Sequence, residues 1–314
     1  RSSVSIPSGR LLPAPERALP SGTDSDVRQG LVERTEEMKF GAIQGRSSLI
    51  EGGHCLDVNA VSGGEFSDQP MDALNRWPSF REWATKQNPL GGSTFDEDEL
   101  TCPVPAPSQI FAIGLNYRDH ATESSMEVPE RPMVFTKFAS SLSGPRDDIP
   151  LVPGSCDWEV ELVAVLGRTI RNVDEDEAIQ AIAGLTIGQD ISERDLQLDG
   201  ANPQFNLGKS HKGFAPLGPY IVSLDEFSNP WDLEISCTRN GETVQEARTS
   251  LLLNGVPKLI SYLSRTCELR AGDLVFTGTP SGVGLGRRPP EYLKAGDVLV
   301  SRISGIGHMK NLCI

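Results

Sequence analysis

The chain has 314 residues, 38% of them hydrophobic, with 29 Lys and Arg against 43 Asp and Glu, for a formal net charge of −14. That length can bury a sizeable core as one large domain or two smaller ones. So large an acid surplus argues against a nucleic-acid surface or an anionic membrane as partner, and a small anionic substrate would need a local cluster of Lys and Arg.

The six cysteines, Cys55, Cys102, Cys156, Cys237, Cys267 and Cys313, show no CxxC pair and no zinc-finger spacing. Reduced thiols in a cytoplasm are therefore expected. No apolar run has membrane length, and the first residues lack the apolar stretch of a secretory leader. Residues 1–37, rich in Pro, Ser, Gly and charge, predict a leader that is disordered, extended or foreign to the natural chain, and Met38-Lys39-Phe40 reads as a natural start. Short apolar pieces at 40–43 and 55–58, a helical stretch at 80–84 and the acidic run 95–99 predict a small α+β subdomain over 38–102. From 103 to 314, many short apolar strands punctuated by Gly and Pro predict one large, mainly β, sandwich or rolled sheet. Asp174 with Glu177 predicts a capping box for a helix ending near Gly184, and the stripe Val256, Leu259, Ile260 and Leu263 predicts a second helix over 256–267. Arg270-Ala271-Gly272-Asp273 is echoed by Lys294-Ala295-Gly296-Asp297, each read as a turn feeding a strand.

Within this pattern Cys156-Asp157-Trp158-Glu159-Val160-Glu161-Leu162-Val163-Ala164-Val165-Leu166-Gly167 stands out, because two acids interrupt what otherwise reads as a buried strand. Alternation puts Glu159 and Glu161 on one face, with Cα atoms roughly 6.5 Å apart. Burying both as anions would cost several kcal/mol, so the pair requires a cation, a proton or solvent. A strand with a wet polar face and a metal site are both open at this point. Asp190, ending the apolar piece 185–190, offers a third acid at the mouth of the same sheet. Three carboxylates without His or Cys suit Mg²⁺, Mn²⁺ or Ca²⁺ rather than Zn²⁺.

Two glycine-rich loops fail as nucleotide motifs. Pro203 stands where a phosphate loop before Gly208-Lys209-Ser210 requires Gly, and Arg287-Arg288-Pro289-Pro290 prevents a helix after 278–286. Lys209 is then either a solvated lysine or a cation aimed into an anionic site, while 278–286 reads as a backbone-lined turn beside a substrate. His120 stands three residues before Glu123, so on a helical turn the acid can orient the imidazole, although an exposed His–Glu pair fits the same spacing.

Taken together, GLNYRDHATE (114–123), DWEVELVAVLG (157–167), QDISERDLQ (189–197), GKSHKGFAPLGP (208–219) and TGTPSGVG (277–284) resemble, in this order, the fumarylacetoacetate hydrolase family. The likeness covers about 103–314 and points to the acylpyruvase and 2-hydroxyhepta-2,4-diene-1,7-dioate isomerase-like branch. Residues 38–100 resemble the family's variable N-terminal subdomain only loosely. The resemblance implies a mixed β-roll of the family's C-terminal type, a homodimer, and Glu159, Glu161 and Asp190 as ligands of Mg²⁺ or Mn²⁺. It further implies His120 with Glu123 as a dyad on a lid that orders over substrate, and Lys209, Gln197 and Thr279 around that substrate. Arg118, Lys137 and Arg194 are further substrate-binding candidates. Many members have Arg where Leu115 stands, and an aromatic followed by Asp where His211-Lys212 stand, which bears on how a substrate end is held.

The chemistry so implied is cleavage of a C–C bond in a 2,4-dioxo acid, giving a 2-oxo acid and a carboxylic acid, with His120 as general base on the attacking water. The same site suits decarboxylation of oxaloacetate or tautomerisation of a 2-hydroxy-dienoate, and a metal-binding homologue without turnover is the non-enzymatic alternative.

Overall fold

A computed structural model describes residues 39–123 and 127–314. The leader expected over 1–37 lies outside them.

The central strand, Val160–Leu166, is buried along its whole length, because both faces of its sheet are covered. Val160, Leu162, Ala164 and Leu166 pack into one core and Val163 and Val165 into another, the period-two alternation of a strand buried on both sides. Each of these Val and Leu side chains contributes about 1.5–3 kcal/mol on burial. Around this strand lies a mixed sheet, twelve-stranded among the described residues. Its main path runs Ser93–Thr94, His54–Asp57, Arg46–Glu51, Lys39–Ile43, Ala215–Val222, Ile182–Gln189, Val160–Leu166, Leu274–Phe276, Ile110–Gly114 and Met133–Thr136. The Leu274–Phe276 and Ile110–Gly114 pair is parallel, whereas Val160–Leu166 is antiparallel to both of its neighbours.

A second, antiparallel sheet, ordered Glu242–Arg248, Glu234–Arg239, Val298–Ile303 and Gly307–Leu312, supplies Ile235, Cys237, Leu299 and Ile303 to the first core, with Leu259, Ile260 and Leu263 from the helix Val256–Ser264. The opposite face is covered by Phe66 and by the helices Pro70–Asn75 and Trp77–Ala84, where Phe40, Trp77 and Phe80 meet edge-on or tilted. Lys39–Ile43, from the stretch expected as a subdomain, pairs directly with Ala215–Val222 through Lys39↔Val222 and Phe40↔Ile221. The two stretches thus share one sheet and one core.

The capping box at Asp174 forms, with Glu177 N donating to Asp174 Oδ1 at 2.9 Å and Asp174 N to Glu177 Oε2 at 3.2 Å. The helix Glu175–Ala181 ends earlier than Gly184 suggests, because the chain re-enters the sheet at Ile182. Gly184 is a strand residue, and a Cβ there would run into the Val222 carbonyl. The echoed turns are real copies. Arg270 N donates to Asp273 Oδ2 at 2.8 Å and Lys294 N to Asp297 Oδ2 at 2.9 Å, with Gly272 and Gly296 at φ 82° and 93°.

Candidate active site and metal centre

The register Val160↔Gln189 and Glu161↔Gly188 aligns the start of the central strand with the end of its neighbour. Glu159, Glu161 and Asp190 therefore converge, each offering a carboxylate oxygen within 4.8 Å of the others, and all three are buried. Burial on this scale demands compensation.

Most of it comes from three buried cations. Lys209 Nζ donates to Glu159 Oε2 at 3.0 Å, Asp190 Oδ2 at 2.7 Å and Ser192 Oγ at 2.7 Å. Arg194 joins Asp157 Oδ2 at 2.7 Å, Glu159 Oε1 at 2.7 Å and Gln197 Oε1 at 2.9 Å. Lys137 Nζ donates to Asp190 Oδ1 at 2.7 Å and to the Lys209 carbonyl. Local sequence puts them there. Gly208 closes the short helix Phe205–Gly208 against 193–197, where a Cβ would lie 2.7 Å from Gln197 N and 2.8 Å from Glu193 O, and Lys209 follows into the core.

Burial pushes the Glu159 carboxyl up, but Lys209 and Arg194 outweigh it and hold the group down at about 2. For Lys209, burial favours loss of the proton, yet Asp190 and Glu159 keep it firmly charged. Lys137 goes the other way, because burial dominates and neighbouring Lys209 adds repulsion to it.

Glu161 is treated differently. Its Oε2 accepts from Gly278 N at 2.7 Å, and burial followed by repulsion from Asp190 and Glu159 raises its pKa well above the usual carboxylate range. A carboxyl whose charged form is disfavoured by burial and by two neighbouring carboxyl groups is one that a bound hard cation would favour in its ionised form. The donor set of three carboxylates fits Mg²⁺ or Mn²⁺.

Above the acids opens a pocket lined by His120, Glu159, Arg194, Gln197, Lys209 and Thr279, with apolar walls from Ile113, Leu115, Phe135, Leu198, Phe205 and Leu285. His120 sits on the helix Arg118–Glu123, nearly buried, with Nδ1 at 3.6 Å from Glu123 Oε2. Gly282 N donates to both Glu123 oxygens, at 3.1 and 3.0 Å. Thr279 Oγ1 donates to Val160 O at 2.9 Å and accepts from Gln245 Nε2 at 2.8 Å.

Of the residues singled out by sequence, two stand apart. Arg118 is exposed and lines a separate recess with Tyr117, Glu246, Leu251 and Ser281, because its position on the helix turns it away from His120. Lys137 lies beneath Asp190 as a brace, outside the pocket wall. Sequence reasoning passed over Asp157, which shares the alternation of Glu159 and Glu161, an acid at every second position, and that spacing is a readable signal. Ser192 and Gln245 carry no such signal, since each is defined by a partner distant in the chain.

A family model described as fumarylacetoacetate (FAA) hydrolase C-terminal matches residues 109–313. The chain belongs to the fumarylacetoacetate hydrolase family. Its members are enzymes, among them hydrolases, isomerases and tautomerases. The 2,4-didehydro-3-deoxy-L-rhamnonate hydrolase of Sphingomonas sp. (strain SKA58) is 46% identical over 214 residues, 67% of this chain and 75% of that one. The mitochondrial oxaloacetate tautomerase fahd2 of Xenopus laevis is 38% identical over 271 residues, 84% of this chain and 83% of its own. Among solved structures, maleylpyruvate hydrolase from Sphingobium sp. SYK-6 in complex with manganese(II) and pyruvate matches with a TM-score of 0.71 at 26% identity, covering 88% of this chain and 99% of that one. No described helix is long and apolar enough to cross a membrane.

Proposed function

We propose that this family member is a divalent-metal-dependent hydrolase that cleaves a C–C bond of a 2,4-dioxo acid, releasing a 2-oxo acid such as pyruvate and a carboxylic acid. The observation that carries the reading is the position of His120, which lines the same pocket as Glu159, one of the three clustered acids, with Glu123 Oε2 3.6 Å from its Nδ1. A tautomerase needs no attacking water, whereas a hydrolase needs a base for one.

Glu159, Glu161 and Asp190 would hold Mg²⁺ or Mn²⁺, which when bound supplies Lewis acidity to the 2-oxo acid end of the substrate. Lys209, Arg194, Gln197 and Thr279 receive the polar end of the substrate, and the apolar walls exclude bulk water from the rest. His120 takes a proton from the water that attacks the distal carbonyl, and Glu123 steadies the imidazolium. The pair of electrons from the broken C–C bond passes into the 2-oxo group, is met there by the ammonium of Lys209, and the leaving carbon then takes up the proton that His120 removed from the water. A manganese and pyruvate complex of a relative supports both the ion class and the product class. A homodimer is part of the same reading, and sedimentation of the purified protein tests it.

The second reading, an oxaloacetate tautomerase, is favoured by the Xenopus relative, whose match extends over 84% of the chain. One experiment separates the two. Metal-stripped protein is assayed with and without Mg²⁺ for pyruvate release from acetylpyruvate and for keto–enol exchange of oxaloacetate, in the wild type and in His120→Ala. Metal-dependent pyruvate release that falls about 10²–10⁴-fold in His120→Ala is expected. Exchange without pyruvate release would replace the hydrolase reading by the tautomerase one.

A further inference from the structure

The loop 278–286 joins several working parts of the site. Gly278 N holds Glu161, Thr279 lines the pocket, Gly282 N holds both oxygens of Glu123, and Leu285 forms a wall. Asp157 fastens the loop to the strand of the acids. Its Oδ1 accepts from Trp158 N at 2.8 Å and Gly284 N at 2.7 Å, and its Oδ2 from Leu285 N at 2.9 Å and from Arg194 Nε at 2.9 Å. Two residues on, Gly286 packs directly against the side chain of Glu123. A Cβ there would overlap Glu123 Cγ and Cδ and lie 2.6 Å from its Oε1. The backbone at Gly286 is not in the left-handed region that favours glycine, so its conformation does not require glycine.

We infer that Gly286 is a positioning residue: its missing side chain, with the Gly282 amide, forms the seat that holds Glu123 against His120. This rests on the reading of His120 and Glu123 as the dyad. The atoms in the way of a Cβ belong to a side chain that can swing aside, so an added methyl displaces Glu123 rather than the fold.

The test is a double-mutant cycle of Gly286→Ala and Glu123→Ala in the full chain, with three readouts: Mg²⁺-dependent thermal shift, pyruvate release from acetylpyruvate, and hydrogen exchange of the Gly282 amide. Gly286→Ala is expected to keep the Mg²⁺ shift, to speed Gly282 exchange as Glu123→Ala does, and to lower pyruvate release about 10²-fold. In the Glu123→Ala background the added methyl should change the rate by less than about twofold, because the two substitutions remove one interaction. Unchanged Gly282 exchange in Gly286→Ala, a full additive loss in the double variant, or loss of the Mg²⁺ shift would each overturn the seat. Wild-type protein that releases no pyruvate would instead defeat the proposed reaction, and the exchange data would still decide on the seat.

Discussion

Glu159 and Glu161 are two residues apart, one just before the central strand and one at its start, both buried, and yet they are opposites electrostatically. Glu159 has Lys209 and Arg194 within hydrogen-bonding distance and is held ionised. Glu161 has the Gly278 amide and two neighbouring carboxyl groups, and burial with their repulsion raises its pKa well above the usual carboxylate range. The difference teaches that the site has cations built in beside Glu159 and Asp190, whereas among the described residues the hydrogen bond to Glu161 comes from an uncharged amide.

The sharpest way to break this comparison is to remove the ammonium on the compensated side. Lys209→Met should destabilise the metal-free protein by about 3–5 kcal/mol in urea unfolding, since it removes the one cation shared by Glu159 and Asp190 and leaves them a single ion pair each, to Arg194 and Lys137. A loss as small as that of an exposed lysine would show that the cluster is not paired. The next largest effect comes from the ion itself. Mg²⁺ or Mn²⁺ at a hundred times its Kd should stabilise the wild type by about 2.7 kcal/mol, and Glu161→Gln should abolish this. Without metal, Glu161→Gln should cost less than about 1 kcal/mol or add stability, because burial and repulsion disfavour the charged carboxylate there and a neutral amide can still accept from Gly278 N. An equal metal response in Glu161→Gln would remove this residue from the ligand set.

A third effect is in pH. The lowered pKa of Glu159 contributes stability that is present above the unfolded value near 4.5 and is lost as pH falls towards about 2. The raised pKa of Glu161 has the opposite sign. Above the unfolded value the native state binds more protons than the unfolded chain, so metal-free stability declines as pH rises towards the folded pKa. Saturating metal should erase this second decline while leaving the first, and the thermal shift given by the ion should therefore grow with pH. A metal-induced shift that is flat with pH would contradict the assignment of the proton to Glu161.

Much of this was legible before any coordinates. The alternation through 157–167, the capping box at Asp174 and the paired turns before Asp273 and Asp297 are local, and local chemistry decides them: side-chain period, a reciprocal cap, an aspartate closing a glycine turn. The motifs shared with the family named the three acids, the lysine and the dyad. The helix end at Gly184 was misread for a definite reason, since a glycine that stops a helix and a glycine that lets two strands approach look alike until the partner strand is known. Arg118 and Lys137 differ from Arg194 in the same sense. All three are cations near the right motifs, and only the packing assigns one to the surface, one beneath Asp190 and one to the pocket wall.

By itself, then, the sequence determined that acids are set into a buried strand and that something must neutralise them, because desolvation of a carboxylate is costly in any fold. The tertiary structure alone decided how the compensation is divided. Lys137, Arg194, Lys209 and Gly278 reach the acids from four separate parts of the chain, and the short reach of a hydrogen bond, rather than spacing along the backbone, gives Glu159 two cations and Glu161 one backbone amide.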